Sequence, residues 1–139
     1  MTKERESVVG PERRELSILA VEDDHATREF LRKFINRKFP ENPLYLAENG
    51  NKGIELFKVH SPGIVITDVI MPEMDGVEMS NAIKMLQSDV KLIVLTGYGS
   101  SSYHEIFGKI GVSAFLTKPI NLEILSATIQ QCLDEMKTE

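Results

Sequence analysis

Residues Ile64-Val65-Ile66-Thr67 form an unbroken β-branched run that ends on a carboxylate, Asp68. A continuous run of this length, without polar alternation, fits a strand buried on both faces, as in a parallel sheet covered by helices. Pro72 and the Asp75-Gly76 pair follow, and both break regular structure, so the strand leads into a loop. An acid at the C-terminal end of a buried parallel strand lies where open α/β sheets place their chemistry. Asp68 is therefore the first candidate functional group.

The same unit recurs along the chain. Leu16 to Val21 reads as a first buried strand and ends in three acids, Glu22, Asp23 and Asp24. From His25 to Phe39, apolar residues at 30, 31, 34, 35 and 39 fall at helical spacing among Arg and Lys, and Pro40 and Pro43 stop the helix. Leu44 to Ala47 is a second strand; Asn49-Gly50 turns into a helix carrying Ile54, Leu56, Phe57 and Val59, which Ser61-Pro62-Gly63 closes. After the central strand come a helix from Val77 to Leu86 and a strand from Lys91 to Leu95 that ends at Thr96-Gly97. Tyr98 to Gly108 is poorer in apolar residues and reads as a short or loosely packed fourth helix. Ser113 to Thr117 is the fifth strand, ending at Lys118-Pro119, and Asn121 caps a last helix with Leu122, Leu125, Ile129 and Cys132 on one stripe. Five strands alternating with five helices predict an α/β fold, a doubly wound five-stranded parallel sheet with helices on both faces.

The chain of 139 residues suffices for one domain with a real core. That domain is read as residues 16–137. Residues 1–15, with balanced charges around Gly10-Pro11 and little apolar content, are read as a flexible N-terminal tail. A net charge of -5 argues against a nucleic-acid surface, which needs clustered cations. A single cysteine, Cys132, cannot form an internal disulfide, and no apolar run approaches the ~20 residues of a membrane span, so the reading is cytoplasmic.

Strands one, three, four and five end in Glu22-Asp23, Asp68, Thr96 and Lys118. In a parallel sheet these ends share one edge. Converging carboxylates repel one another unless a cation is present, and a few hard oxygens suit Mg²⁺, which keeps waters and leaves room for a phosphate. An ionised Asp can attack phosphorus; a Lys can neutralise charge on the moving phosphoryl group, and a Thr hydroxyl can hydrogen-bond an oxygen of the product.

Together with the Met71-Pro72-Glu73-Met74-Asp75-Gly76 loop, these five separated elements resemble the receiver domains of two-component response regulators, from about Leu16 to Met136. The resemblance implies the flavodoxin-like strand order 2-1-3-4-5. It implies that Asp68 is the phospho-acceptor and that Asp23, Asp68 and the backbone carbonyl of Ile70 ligate Mg²⁺. Glu22, where many members have Asp, would act at the metal through water. Lys118 would contact the phosphoryl group and precede a cis peptide to Pro119. Thr96 and Phe115 would be the switch pair, with Phe where Tyr is also common. The implied partners are a histidine kinase or histidine phosphotransfer protein upstream, and a downstream protein target or fused output domain. The surface of helix four, strand five and helix five would report the phosphorylation state. Such a module catalyses only its own phosphorylation and dephosphorylation. Ile70 and Tyr98, two positions beyond Asp68 and Thr96, are bulky where polar residues can orient water, which implies slow self-dephosphorylation.

Each residue alone has a plainer reading: Asp68 as a loop carboxylate or helix cap, Thr96 as a turn residue, Lys118 as a surface charge. Asp24 reads as the N-cap of the first helix. His25, His60 and His104 lack metal-type spacing and read as surface residues, Met71 and Met74 as packing for the acidic loop, and Cys132 as core. One alternative is a Mg²⁺-dependent phosphatase or phosphotransferase with an aspartyl-phosphate intermediate. Ile70 stands where such enzymes usually carry a second Asp. A nucleotide or flavin module would need a glycine-rich loop after the first strand, where this chain has acids. A non-phosphorylated scaffold is disfavoured because no acceptor or metal residue is missing.

Overall fold

The computed structural model describes residues 16–97 and 101–137. The segment 1–15, read above as a tail, and Tyr98 lie outside the described residues. Five parallel strands, β1 (Ile18–Val21), β2 (Leu44–Ala47), β3 (Ile64–Asp68), β4 (Lys91–Thr96) and β5 (Ala114–Thr117), form one sheet in the order β2-β1-β3-β4-β5. Between and after them run α1 (His25–Lys38), α2 (Gly50–His60), α3 (Gly76–Leu86), α4 (Ser101–Ile110) and α5 (Leu122–Lys137).

The two-residue period of a strand divides the core. Ile18 and Ala20 of β1, Ile64 and Ile66 of β3, and Ile93 and Leu95 of β4 face α1 and α5, packing on Leu31, Ile35, Leu125 and Ile129. Their neighbours Leu19, Val21, Val65 and Leu92 face the other way, onto Phe57 of α2 and Met79 and Ile83 of α3. Val69 and Val94 extend that second layer to Phe107 of α4. Side chains buried on both faces explain why β1, β3 and β4 read as unbroken apolar runs, while β2 and β5, at the edges, are half-buried. Cys132 lies in the first layer, where burial pushes its thiol up to about 11, which makes it inert as a nucleophile at neutral pH.

Short polar side chains start the helices. Asp24, Asn49 and Asp75 accept hydrogen bonds from the backbone N–H of Thr27, Lys52 and Glu78, and Asn121 accepts from Ile124. The sequence reading differs from the structure at several places. The described part of the fourth helix runs from Ser101 to Ile110, two residues beyond Gly108, with 98–100 outside the described residues, and it is anchored: Phe107 is buried, with Tyr103 and Ile110 packed beside it. Gly108 lies inside the helix, and Gly111, at φ +98°, comes just beyond its end. His60 is half-buried rather than on the surface, its ring stacked on Tyr45 at 3.8 Å. β1 begins at Ile18, because Ser17 instead turns its carbonyl to the N–H groups of Gly63 and Ile64.

Candidate functional site

The order of strands reverses between β1 and β3, which send their crossover helices to opposite faces. Side chains at the C-terminal ends of these two strands therefore meet in a crevice that no crossover covers. Glu22 and Asp23 follow β1, and Asp68 ends β3. One carboxylate oxygen from each lies within 4.8 Å of the others.

Asp68 is held on both sides. Its Oδ1 accepts from the N–H of Val69 at 2.9 Å, and its Oδ2 accepts from Lys118 Nζ at 3.0 Å. The loop after β3 folds tightly beneath it: Gly76 N–H donates to Val69 O at 2.7 Å, and Met74 N–H to Pro72 O at 2.8 Å. A Cβ on Gly76 would overlap the carbonyl oxygen of Asp68, so this close approach requires glycine. Met71 is buried and Met74 partly so, both packed into the layer beneath α2 and α3.

Glu22 is almost fully buried. Its Oε2 accepts from Asp24 N–H at 3.1 Å, while Oε1 has no hydrogen-bond partner and stands 3.7 Å from Lys118 Nζ. Burial raises its pKa, the Asp24 N–H opposes that rise, and the charge on Asp68 adds to it. A buried carboxylate oxygen without a donor, beside two further acids, leaves a place for a cation. Lys118 reaches the cluster from the end of β5. Burial pulls its ammonium pKa down, but the hydrogen bond to Asp68 and the charges of Glu22, Asp68 and Asp23 outweigh this, leaving it above the ordinary lysine value. Asp24, by contrast, is occupied as the α1 cap; hydrogen bonds from the Thr27 hydroxyl and N–H hold its carboxyl below the usual range.

An open cleft of about 580 Å³ lies over Asp68 and Lys118, lined also by Val69, Ile70, Thr96, Gly97, Tyr103 and Pro119. Thr96 is buried at the end of β4, and its carbonyl accepts from Lys118 N–H at 2.7 Å, tying the β4 and β5 ends together. The Lys118–Pro119 peptide bond is cis. Ile70 stands on the rim, 72% exposed. The structure thus brings Glu22, Asp23, Asp68, Thr96, Lys118 and Ile70 to one edge. Phe115 lies apart from the cleft lining, on β5 opposite Val94, with its ring against Phe107 at 5.8 Å and edge-on to His104 at 3.8 Å. Sequence reading missed the contacts made by His104 and by Arg28, whose guanidinium reaches the β1–α1 turn. No motif spacing marks either.

A five-stranded sheet of this order, with acids at the switch point and a lysine opposite, defines a flavodoxin-like α/β domain. The profile of the "Response regulator receiver domain" matches residues 18–130. The chain is 33% identical over 124 residues to the response regulator MprA of Mycobacterium leprae, covering 89% of this chain and 54% of that one. It is 32% identical over 118 residues to a cyclic di-GMP phosphodiesterase of Thermotoga maritima, covering 85% of this chain but 31% of that protein. Among solved structures, a response regulator receiver domain protein from Clostridium thermocellum superposes with a TM-score of 0.81 at 25% identity, over 88% of this chain and 97% of that one. The N-terminal domain of an uncharacterized protein from Wolinella succinogenes does so with 0.82 at 34% identity, over 89% and 99%. The chain belongs to the response regulator receiver domain family. It spans about half or less of these curated relatives. No described helix is long and apolar enough to cross a membrane.

Proposed function

We propose that residues 16–137 form a phospho-accepting receiver in which Asp68 takes a phosphoryl group from a histidine of a kinase or phosphotransfer protein. The convergence of Lys118 and three carboxylates around Asp68 carries this reading. An Asp68 oxygen attacks phosphorus, an O–P bond forms, and the P–N bond to the donor imidazole breaks; the imidazole keeps the electron pair and takes a proton. Lys118, already beside Oδ2, faces the negative charge that the phosphoryl oxygens bring in, and Thr96 at the edge of the cleft offers its hydroxyl to one of them.

Glu22, Asp23 and Asp68, with the backbone carbonyl of Ile70, would hold Mg²⁺; the undonated Glu22 Oε1 and the packing of three acids fit such an ion. Bound there, Mg²⁺ supplies positive charge against both the acids and the incoming phosphate. The switch is read as Thr96 with Phe115, and the reporting surface as α4, β5 and α5. Phosphorylation shifts this surface only as far as the phosphoryl group binds one arrangement better than the other. Ile70, in place of a second acid two residues past Asp68, argues against turnover of outside substrates. The output is read as protein contact with a target or a fused output domain, in the cytoplasm.

The test is intact mass after incubation with acetyl phosphate, with and without Mg²⁺, on wild type and Asp68→Asn. One phosphoryl group gained only with Mg²⁺, and not by the variant, is the expected result. No gain, together with no beryllofluoride binding, would make the domain a scaffold.

A further inference from the structure

Arg28 lies in the first turn of α1, and its side chain runs back toward the start of the helix. Nη1 donates to Glu22 O at 2.8 Å and reaches Asp23 O at 3.5 Å, while Nη2 lies 3.3 Å from His25 Nδ1. A cation here faces the positive end of the helix dipole, an unfavourable arrangement. Local rules broken in this way concentrate at functional sites. The offset comes from the two carbonyls; Asp23, Glu48 and Glu73 line the same small cleft. Of the two carbonyl contacts, the one to Glu22 is the stronger by length.

Both acceptors belong to residues whose carboxylates converge on Asp68. A carbonyl and a side chain on one residue share the backbone that orients them, so fixing one restricts the other. Glu22 has a second tether through its N–H to Ala47 O at 3.0 Å. Asp23 is exposed, and Arg28 Nη1 reaches its carbonyl.

We propose that Arg28 is a positioning residue for divalent-cation binding: its guanidinium clamps the Glu22–Asp23 turn so that both carboxylates face Asp68. This rests on the Mg²⁺ reading above. Two effects of the side chain oppose each other. The clamp favours the ion, whereas the charge of the guanidinium repels it. The clamp dominates because that charge is already engaged by two carbonyls.

Calorimetric titration of the full chain with Mg²⁺ separates the two, using wild type, Arg28→Met and Arg28→Lys, with melting curves in chelator as the control for folding. The clamp predicts a Kd for Arg28→Met raised about tenfold, the usual effect of losing a group that orients a metal ligand. Arg28→Lys keeps the charge but loses the planar group whose second nitrogen rests against His25 Nδ1 and steadies Nη1 on the turn, so its Kd also rises. If Arg28→Met proves too unstable to titrate, Arg28→Lys carries the comparison. An unchanged or lower Kd in the variants, with only the melting temperature reduced, overturns the clamp and leaves the metal reading intact. Wild type that binds no Mg²⁺ overturns both.

Discussion

Lys118 Nζ stands 3.0 Å from Asp68 Oδ2 across 50 residues of sequence, and the same ammonium is 3.7 Å from Glu22 Oε1. It is the cation that the acid cluster holds without a metal. Replacing it by Met leaves Asp68 and Glu22 facing each other uncompensated and removes a positive charge from the incoming phosphoryl group. Labelling of Lys118→Met by acetyl phosphate should slow by roughly 10²-fold, the scale of losing one preorganised donor. Because the carboxylates hold the Lys118 pKa above 10.5, its charge persists through neutral and mildly alkaline pH. Its electrostatic contribution to stability is therefore complete below that value and fades only as pH climbs through the folded-state pKa. A wild-type labelling rate that fell between pH 7 and 9 through loss of the lysine proton would contradict this.

Glu22 works in the opposite sense. Its pKa is raised, chiefly by burial, so the folded chain holds that proton more tightly than the unfolded chain does. Linkage makes its contribution to stability fullest below its ordinary value of 4.5 and lost as pH rises through the folded-state pKa. At neutral pH the ionised side chain is a liability unless a cation is bound. Glu22→Gln should melt several degrees higher than wild type in chelator at pH 7, and the gap should narrow toward pH 4. The variant should also gain less from added Mg²⁺. A lower melting temperature at pH 7 would mean that Lys118 already compensates Glu22 in full.

Gly76 N–H meets Val69 O where the loop after β3 enters α3. A methyl group there would collide with the Asp68 carbonyl, which is backbone and cannot swing aside. Gly76→Ala should cost ~1–3 kcal/mol in a denaturant titration, as overpacking does. The displaced loop should also slow phosphorylation, because Asp68 Oδ1 takes its hydrogen bond from Val69, the residue whose carbonyl receives Gly76 N–H.

The sheet was legible because burial on both faces leaves an unmistakable mark: β1, β3 and β4 send apolar side chains to the helices on either side. The acid and lysine elements were legible because a parallel sheet gathers strand ends along one edge. α4 was less so. Its two serines and one glycine diluted a pattern that rests largely on Phe107, and its packing partners Val94 and Phe115 come from the strands. Arg28 was invisible for a related reason. Its acceptors are backbone carbonyls, which carry no residue-type signal, and in sequence it reads as one more charge on the polar face of α1. The His104 contact to Phe115 likewise exists only once α4 is laid over β5.

We predict that the rim of the cleft sets how long a phosphoryl group on Asp68 would survive. Ile70 is an apolar side chain held 72% in solvent, beside Tyr103 and Pro119, and it contributes neither donor nor acceptor to a water approaching phosphorus. In-line attack needs that water ordered, and an amide at this position could hold it by a hydrogen bond. Since Ile70 buries little, Ile70→Asn should leave the melting temperature within about 0.5 kcal/mol of wild type in equivalent stability, as exposed substitutions do. The lifetime of the phosphorylated form, followed by intact mass after removal of acetyl phosphate, should shorten several-fold. If the lifetime stays unchanged, Ile70 does not limit water access, and the slow step lies with groups deeper in the cleft.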